Sequence, residues 1–441
     1  MVFFISASKT ALALLALPLL SLHAEPRTCD ITGVEACTID SLTASTNDEG
    51  IVISPNGNTR CAFDDYTDPV SNFTSRSKYF FQVFPAKNHN TKKLLLYFQG
   101  GGACVDELTC NFALQCQLGS NALISTKASV EITGIVNRSL GNNVFNDFNI
   151  VYLPYCTGDL FVGNKYVEPL ESVYNQALGN KQCLGQNHGM HLNGYNNTMA
   201  VLHWALANYQ NLDQIVIGGY SAGSLGAQLW STYVANAWKV KTKGITYQVL
   251  ADSYVGVFPE TMKPASSLIK YYNGCQLLGF PNVIASACEA ETATAIEMVL
   301  SLMTETPLSE WLFINSIADK TQRGFYELVL SGIAGYPFKE VLPADDFYSN
   351  MTEILNTYAQ SMNVGRYNVY GDVHVWLTKN EYQSVQDMDG RLLGDVLRKW
   401  LTPILHRPSD SFYLLPQVPE EVGNDNALIH DGNRNATNPY E

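Results

Sequence analysis

The stretch Gln214-Ile-Val-Ile-Gly-Gly-Tyr-Ser-Ala-Gly-Ser-Leu-Gly-Ala227 decides how this chain is read. Its first part, Ile215–Ile217, is a short β-branched apolar run, as expected of a strand buried on both faces. From Leu225 to Trp230 the composition turns helical. Between them lies Gly219-Tyr-Ser-Ala-Gly223, a G-x-S-x-G match. A serine on a tight strand-to-helix turn sits in strained backbone geometry, and side chains on the flanking residues would clash there, which explains the glycines. Such a turn lifts the Ser221 hydroxyl clear of the sheet. It also leaves the amide of Ala222 at a helix N-terminus, where donor and dipole favour a developing negative oxygen. The pentapeptide alone is a modest signal, since glycine and serine are common. The strand before it and the helix after it supply the context that gives it meaning.

A second glycine motif follows another strand-like run, in Leu94-Leu-Leu-Tyr-Phe-Gln-Gly-Gly-Gly-Ala-Cys104. Three glycines let backbone amides approach a reacting carbonyl closely. A phosphate-cradling loop is the rival reading, but no Lys-Ser/Thr follows. Elsewhere, strand-like runs at Tyr79–Phe84, Asn149–Pro154, Thr246–Ala251, Trp311–Asn315 and Tyr367–Tyr370 alternate with helical patterns at His191–Tyr209, Gly223–Ala237 and Leu392–Leu401. Alternation of this kind predicts a mainly parallel central sheet with helices on both faces, the α/β-hydrolase arrangement. The stretch from about 255 to 309 is long and mostly helical in pattern, and reads as an insertion. Residues 25–75 read as an irregular N-terminal region tied by disulfides, so the mature chain is expected to be a single domain.

A serine hydroxyl is a poor nucleophile until a base takes its proton, and the base needs an orienting carboxylate. In this fold the chain order is serine, acid, histidine. Among histidines after Ser221, His374 lies just past the last strand-like run, in Tyr370-Gly-Asp-Val-His-Val-Trp-Leu377, whereas His406 and His430 fall in proline-flanked and polar stretches. The acid candidate is Asp319, after the strand Trp311–Asn315. Asp252 is its main rival, read as lining the site or fixing its loops, and Asp372 is two residues from His374. Asp159, at the end of Pro154-Tyr-Cys-Thr-Gly-Asp159, is a further pocket-shaping candidate. Tyr254, Phe258, Tyr271, Tyr272 and Phe280 of the insertion are expected mainly in the core, with an acyl pocket as the weaker reading. His188 and His191 have no acidic third ligand nearby, so no metal and no cofactor is expected.

With these motifs in this order the chain resembles the pectin acetylesterases and their relative Notum, a carboxylesterase that removes a lipid acyl group from a protein. The resemblance runs from about Cys61 to about Trp376. It rests on Gly100-Gly-Gly-Ala-Cys104 with Cys110 close behind, Pro154–Asp159, Gly219–Gly223 and Ala251-Asp-Ser253. It implies ester hydrolysis, with the amides of Gly101, Gly102 and Ala222 as oxyanion donors, and it matches Asp319 and Gln322 to an Asp with a Gln three residues on. Ala103 stands where plant members usually carry Trp, and Val375 where they carry Cys, both closer to the microbial branch. Acetylated polysaccharide such as pectin is then the first expected substrate and a lipid acyl ester the second. A secreted binding protein that keeps the fold without turnover is the alternative of a different class.

The start of the chain fits an export signal over residues 1–24, with Lys9, the apolar run Ala11–Leu22 and the small Ala24. All ten cysteines follow it, an even number that favours disulfides in an oxidising compartment. Cys29–Cys37, Cys104–Cys110 and Cys275–Cys288 are plausible short-range pairs, leaving Cys61, Cys116, Cys156 and Cys183. Sequons at Asn72, Asn137, Asn196, Asn350 and Asn435 point to a glycoprotein. The net charge of −14, without a basic patch, argues against nucleic acid as a partner. No apolar stretch after the leader is long enough for a membrane span or anchor. The expectation is therefore a secreted, extracellular or cell-wall esterase; nothing in the sequence fixes an oligomeric state.

Overall fold

A computed structural model of the protein describes residues 28–31, 37–39, 50–67, 74–86, 88, 91–110, 133–168, 189–276, 280–332, 338–361 and 363–403. The leader, Cys116, Cys183, His188, His406, His430 and the sequons at Asn72 and Asn435 lie outside these residues.

The apolar runs of the sequence become a nine-stranded sheet. Its strands in chain order are β1 (Thr28–Asp30), β2 (Ile51–Ser54), β3 (Phe81–Phe84), β4 (Lys93–Phe98), β5 (Asn149–Leu153), β6 (Gln214–Tyr220), β7 (Thr246–Asp252), β8 (Glu310–Ser316) and β9 (Asn363–Val369). In space they run β1-β2-β3-β5-β4-β6-β7-β8-β9. Only β3 is antiparallel to its neighbours, β2 and β5; every other pair is parallel. Parallel strands need crossover connections, and these deliver the helices to the two faces.

Alternation along each strand divides the core in two. Leu94, Leu96, Phe98, Ile215, Ile217, Val249, Trp311 and Phe313 point to one face. Leu95, Tyr97, Val216, Leu250, Leu312 and Ile314 point to the other. The first face is covered by α1 (Gly194–Asn208), α2 (Ala222–Ala237), the segment carrying α3 (Ala265–Tyr271), α4 (Asn282–Glu289) and α5 (Ala295–Glu305), and α7 (Ala344–Ser361). The second is covered by residues 134–148 and by α8 (Leu393–Leu401). Helix α6 (Lys320–Ser331) follows β8 after a three-residue turn. Helices α3–α5 fall within the stretch expected as an insertion, between β7 and β8, with Cys275–Cys288 across them. None of the described helices is long and apolar enough to cross a membrane.

Three expectations need correction. The N-terminal region is not wholly irregular, because β1 and β2 extend the sheet edge; Thr28–Asp30 has no apolar pattern, and the short run Ile51–Ser54 gave too little signal. The last strand begins at Asn363, not Tyr367. Helix α7 went unread although Phe347, Met351, Ile354, Leu355 and Tyr358 form a buried stripe at helical spacing.

The described disulfides are Cys29–Cys37, Cys61–Cys156, Cys104–Cys110 and Cys275–Cys288. Cys61–Cys156 spans 95 residues and fastens the segment before β3 to the loop after β5, where Ala62 N also donates to Cys156 O at 2.8 Å. Closing so long a loop restricts the unfolded chain strongly. Replacing both Cys61 and Cys156 by Ser should therefore lower the unfolding free energy by about 4 kcal/mol in a urea titration. A loss below about 1 kcal/mol would show that this crosslink constrains little.

Candidate active site

The turn after β6 takes the strained course its glycines foretell. Ser221 has φ 54° and ψ −127°, and α2 starts at the next residue. The turn lies against the end of β4: a Cβ on Gly223 would fall 2.2 Å from Phe98 O and 2.6 Å from Gln99 O. No side chain fits there, which is why the pentapeptide ends in glycine. The Gly100–Cys104 loop leaves β4 beside it, with Gly102 at φ +71°. Its far end is pinned by the Cys104–Cys110 disulfide, by Cys104 N donating to Gly158 O at 2.9 Å, and by the Tyr272 hydroxyl donating to Cys104 O.

Asp319 follows β8 and caps α6. Its side chain accepts from Thr321 N and Gln322 N, both at 3.0 Å, and from Gln322 Nε2 at 3.0 Å. Its remaining contact is with His374, whose Nδ1 lies 2.8 Å from Asp319 Oδ2. Asp319 is fully buried. The other ring nitrogen, His374 Nε2, is buried with no hydrogen-bond partner among the described residues. A histidine fixed at one nitrogen and unengaged at the other is arranged to exchange a proton there.

His374 and Ser221 line one cavity of about 30 Å³, together with Ala103, Leu160, Ala222, Leu225, Tyr254, Thr321, Gln322 and Phe325. The chain thus brings Ser221, Ala222, His374 and the glycine loop to one place, with Asp319 behind the imidazole. Gly101 and Gly102 lie on that loop immediately before Ala103. A larger open groove at the other end of the sheet, beside Lys92, Asp213 and Arg398, contains none of these groups.

The rival carboxylates lie elsewhere. Asp372 is exposed. Asp252 is fully buried at the end of β7 and accepts from the amides of Trp376 and Leu377. Asp159 is also fully buried and accepts from Thr157 Oγ1 at 2.7 Å, Phe161 N at 3.2 Å and Gly194 N at 2.7 Å. It joins the loop after β5 to the start of α1, and so holds Leu160 at the cavity wall. Of the aromatic residues of the insertion, Tyr254 reaches the cavity, while Phe258, Tyr272 and Phe280 are in the core. His191 pairs with the Tyr166 ring. Among the described residues no group of three or more metal-ligating side chains gathers.

Sequence reasoning passed over Ser253 and Ser316, which follow or end strands at this side of the sheet. Ser316 Oγ donates to Val373 O at 2.6 Å, and Val375 N donates to Ser253 Oγ at 2.9 Å, so both hold the His374 loop. Short hydroxyl side chains at the C-terminal ends of parallel strands were the available signal.

The strand order, the elbow at Ser221 and the glycine loop beside it define an α/β-hydrolase. Within that class the chain belongs to the pectinacetylesterase family, whose model matches residues 74–322. The match takes in the glycine loop, the elbow and Asp319. A stretch of 91 residues is also 30% identical to the palmitoleoyl-protein carboxylesterase NOTUM of Schmidtea mediterranea, covering 20% of this chain and 17% of that relative.

Burial pushes the Asp159 carboxyl up to about 6, against the hydrogen bonds from Thr157, Gly194 and Phe161 that favour its charge. The native carboxyl thus keeps its proton to higher pH than the unfolded one, which releases it near 3.8. Between those values the native state binds more protons, so this group's contribution to stability falls as pH rises. Asp159→Asn removes the titration. Unfolding free energies of variant and wild type should therefore shift in the variant's favour from about pH 4 to about pH 6 and run parallel above. A constant difference across that window would contradict the burial effect.

Proposed function

We propose that this protein is a secreted carboxylic ester hydrolase that removes short acyl groups, acetyl first, from an acetylated polysaccharide such as pectin. The observation that carries the reading is the shared cavity, which Ser221 and His374 both line while Asp319 holds Nδ1 of His374 and leaves its Nε2 unengaged.

In this reading His374 Nε2 takes the proton of Ser221 Oγ as that oxygen bonds to the ester carbonyl carbon. The carbonyl oxygen becomes an oxyanion stabilised by the amides of Gly101, Gly102 and Ala222. Asp319 stabilises the imidazolium and holds the tautomer that leaves Nε2 basic. As the intermediate collapses, the bond to the alcohol oxygen breaks and His374 returns the proton to it. Water, deprotonated by the same nitrogen, then attacks the acyl-serine and releases the carboxylic acid and the free serine.

The cavity beside Ser221 is walled largely by apolar side chains, Ala103, Leu160, Leu225 and Phe325 among them, which suit the hydrocarbon part of an acyl group. The relative NOTUM is named for a palmitoleoyl group, which makes a long-chain ester the alternative guest of this cavity. Export is supported by the disulfides, which persist in oxidising compartments.

A series of p-nitrophenyl esters tests the reading: kcat/KM should be highest for acetate and fall with each added pair of methylenes, and acetylated pectin or xylan should release acetate. A maximum at long chains would favour lipid-acyl hydrolysis instead. Ser221→Ala should fold and lose activity by up to about a million-fold in kcat. If the intact wild type resists a fluorophosphonate probe, the protein is a non-catalytic binder on this fold.

Asp319→Asn should keep the fold but favour the wrong tautomer of His374, cutting kcat about ten-thousand-fold. Asp319→Asn retaining wild-type kcat would dismiss Asp319 as the orienting acid.

A further inference from the structure

Besides Leu160 in the cavity wall, at φ 55°, three non-glycine residues at the elbow and the His374 side of the site hold left-handed backbone: Ser221 at φ 54°, Ser253 at φ 61° and Val375 at φ 67°. Val375 is the least expected of them, because a β-branched side chain crowds its own backbone there. Such geometry persists only where surrounding contacts leave no alternative. For all three the contacts converge on two adjacent residues at the end of β7, Asp252 and Ser253.

Ser221 N donates to Asp252 O at 2.8 Å, which ties down the elbow. Ser253 N donates to Ile314 O at 2.7 Å, which ties in β8, the strand that delivers Asp319. The three amides after His374 attach to the same pair. Val375 N donates to Ser253 Oγ at 2.9 Å; Trp376 N and Leu377 N donate to Asp252 Oδ2 at 3.0 and 2.8 Å. Ser253 Oγ completes the set by donating to Asp252 Oδ1 at 3.1 Å.

An ionised carboxylate is all acceptor, so it can face several N–H and O–H donors without presenting a donor of its own to any of them. Asp252 is fully buried, and among the described residues none of its side-chain hydrogen-bond partners is a cation. As a filler of the core it is a poor choice, since a buried carboxyl without a cation costs more than an apolar residue of similar size. As the common acceptor for a strained loop it has a use.

We propose that Asp252 and Ser253 are the positioning element of this site. They touch neither the cavity nor the reacting atoms. They set the height and direction of the His374 ring relative to Ser221 and Asp319 by holding Val375–Leu377 in its strained course. The kinetic consequence rests on the esterase reading above; the geometric one does not.

The test uses Asp252→Ala, Asp252→Asn and Ser253→Ala in the full-length secreted protein, with two readouts. One is the low-field proton resonance of His374 Nδ1–H held by Asp319, assigned by its absence from His374→Gln. The other is the split between kcat and KM on p-nitrophenyl acetate. Asp252→Ala and Ser253→Ala should lose or displace the resonance. In each, kcat should fall about a hundred-fold with KM within about threefold, the size expected when reacting groups are misplaced by about 1 Å. Asp252→Asn keeps an acceptor oxygen and should retain the resonance and most of kcat. The proposal is overturned if folded Asp252→Ala or Ser253→Ala keeps both resonance and kcat. Should Asp252→Ala fail to fold, Ser253→Ala decides alone, since it removes only one hydroxyl and leaves the Asp252 carboxylate in place. A wild type that shows the resonance but turns over no ester would sink the esterase reading and leave the positioning role to be judged on the resonance.

Discussion

Everything at this site hangs on one close approach, that of the turn after β6 to the end of β4. The chain passes so near Phe98 O and Gln99 O that no side chain fits at Gly223. That proximity forces Ser221 into its strained backbone angles and starts α2 at the next residue. It also puts the glycine loop that leaves β4 beside the serine, because β4 and β6 are parallel neighbours in register from Lys93↔Gln214 to Phe98↔Gly219. The two-sided core holds that register, since a shift of one residue would exchange every side chain between the faces.

Three aspartates end strands or follow them on this side of the sheet, and all three are fully buried: Asp159, Asp252 and Asp319. Each accepts backbone amides, and each fastens a loop. What separates them is the neighbour that completes the shell. For Asp319 it is a histidine ring, for Asp252 the backbone beyond that histidine, and for Asp159 the first turn of α1. One residue type at equivalent places thus does three jobs, assigned by strand order.

This explains which features could be read in the sequence. The elbow and the glycine loop were legible because their constraint is local: glycine where backbone meets backbone, serine where the turn breaks. The parallel strands were legible because burial on both faces leaves continuous apolar runs. Asp319 and Asp252 looked alike as residues after strands, and only the sheet order separates their neighbours. Strands β1 and β2 were missed because both are short: β1 has three residues without an apolar run, and the buried run of β2 is only four residues long. Cys61–Cys156 was left open because its partners stand 95 residues apart and meet only in three dimensions. Ser253 and Ser316 act through single hydroxyls on backbone groups, which no local pattern announces.

Part of the cavity wall is built from side chains that hold neither the imidazole nor the elbow, while Thr321 and Gln322, which also line it, donate to Asp319. Leu160 comes from the loop after β5, Leu225 from α2, Tyr254 from the segment after β7 and Phe325 from α6. None of the four makes a side-chain hydrogen bond to Ser221, His374 or Asp319 among the described residues. Those four side chains can therefore change the shape of the wall without removing a hydrogen bond from the groups that hold His374. Over evolutionary time the wall is free to drift toward larger or smaller guests by single substitutions, while the groups behind it stay under constraint, so related chains can diverge in what they admit without diverging in what they do to it.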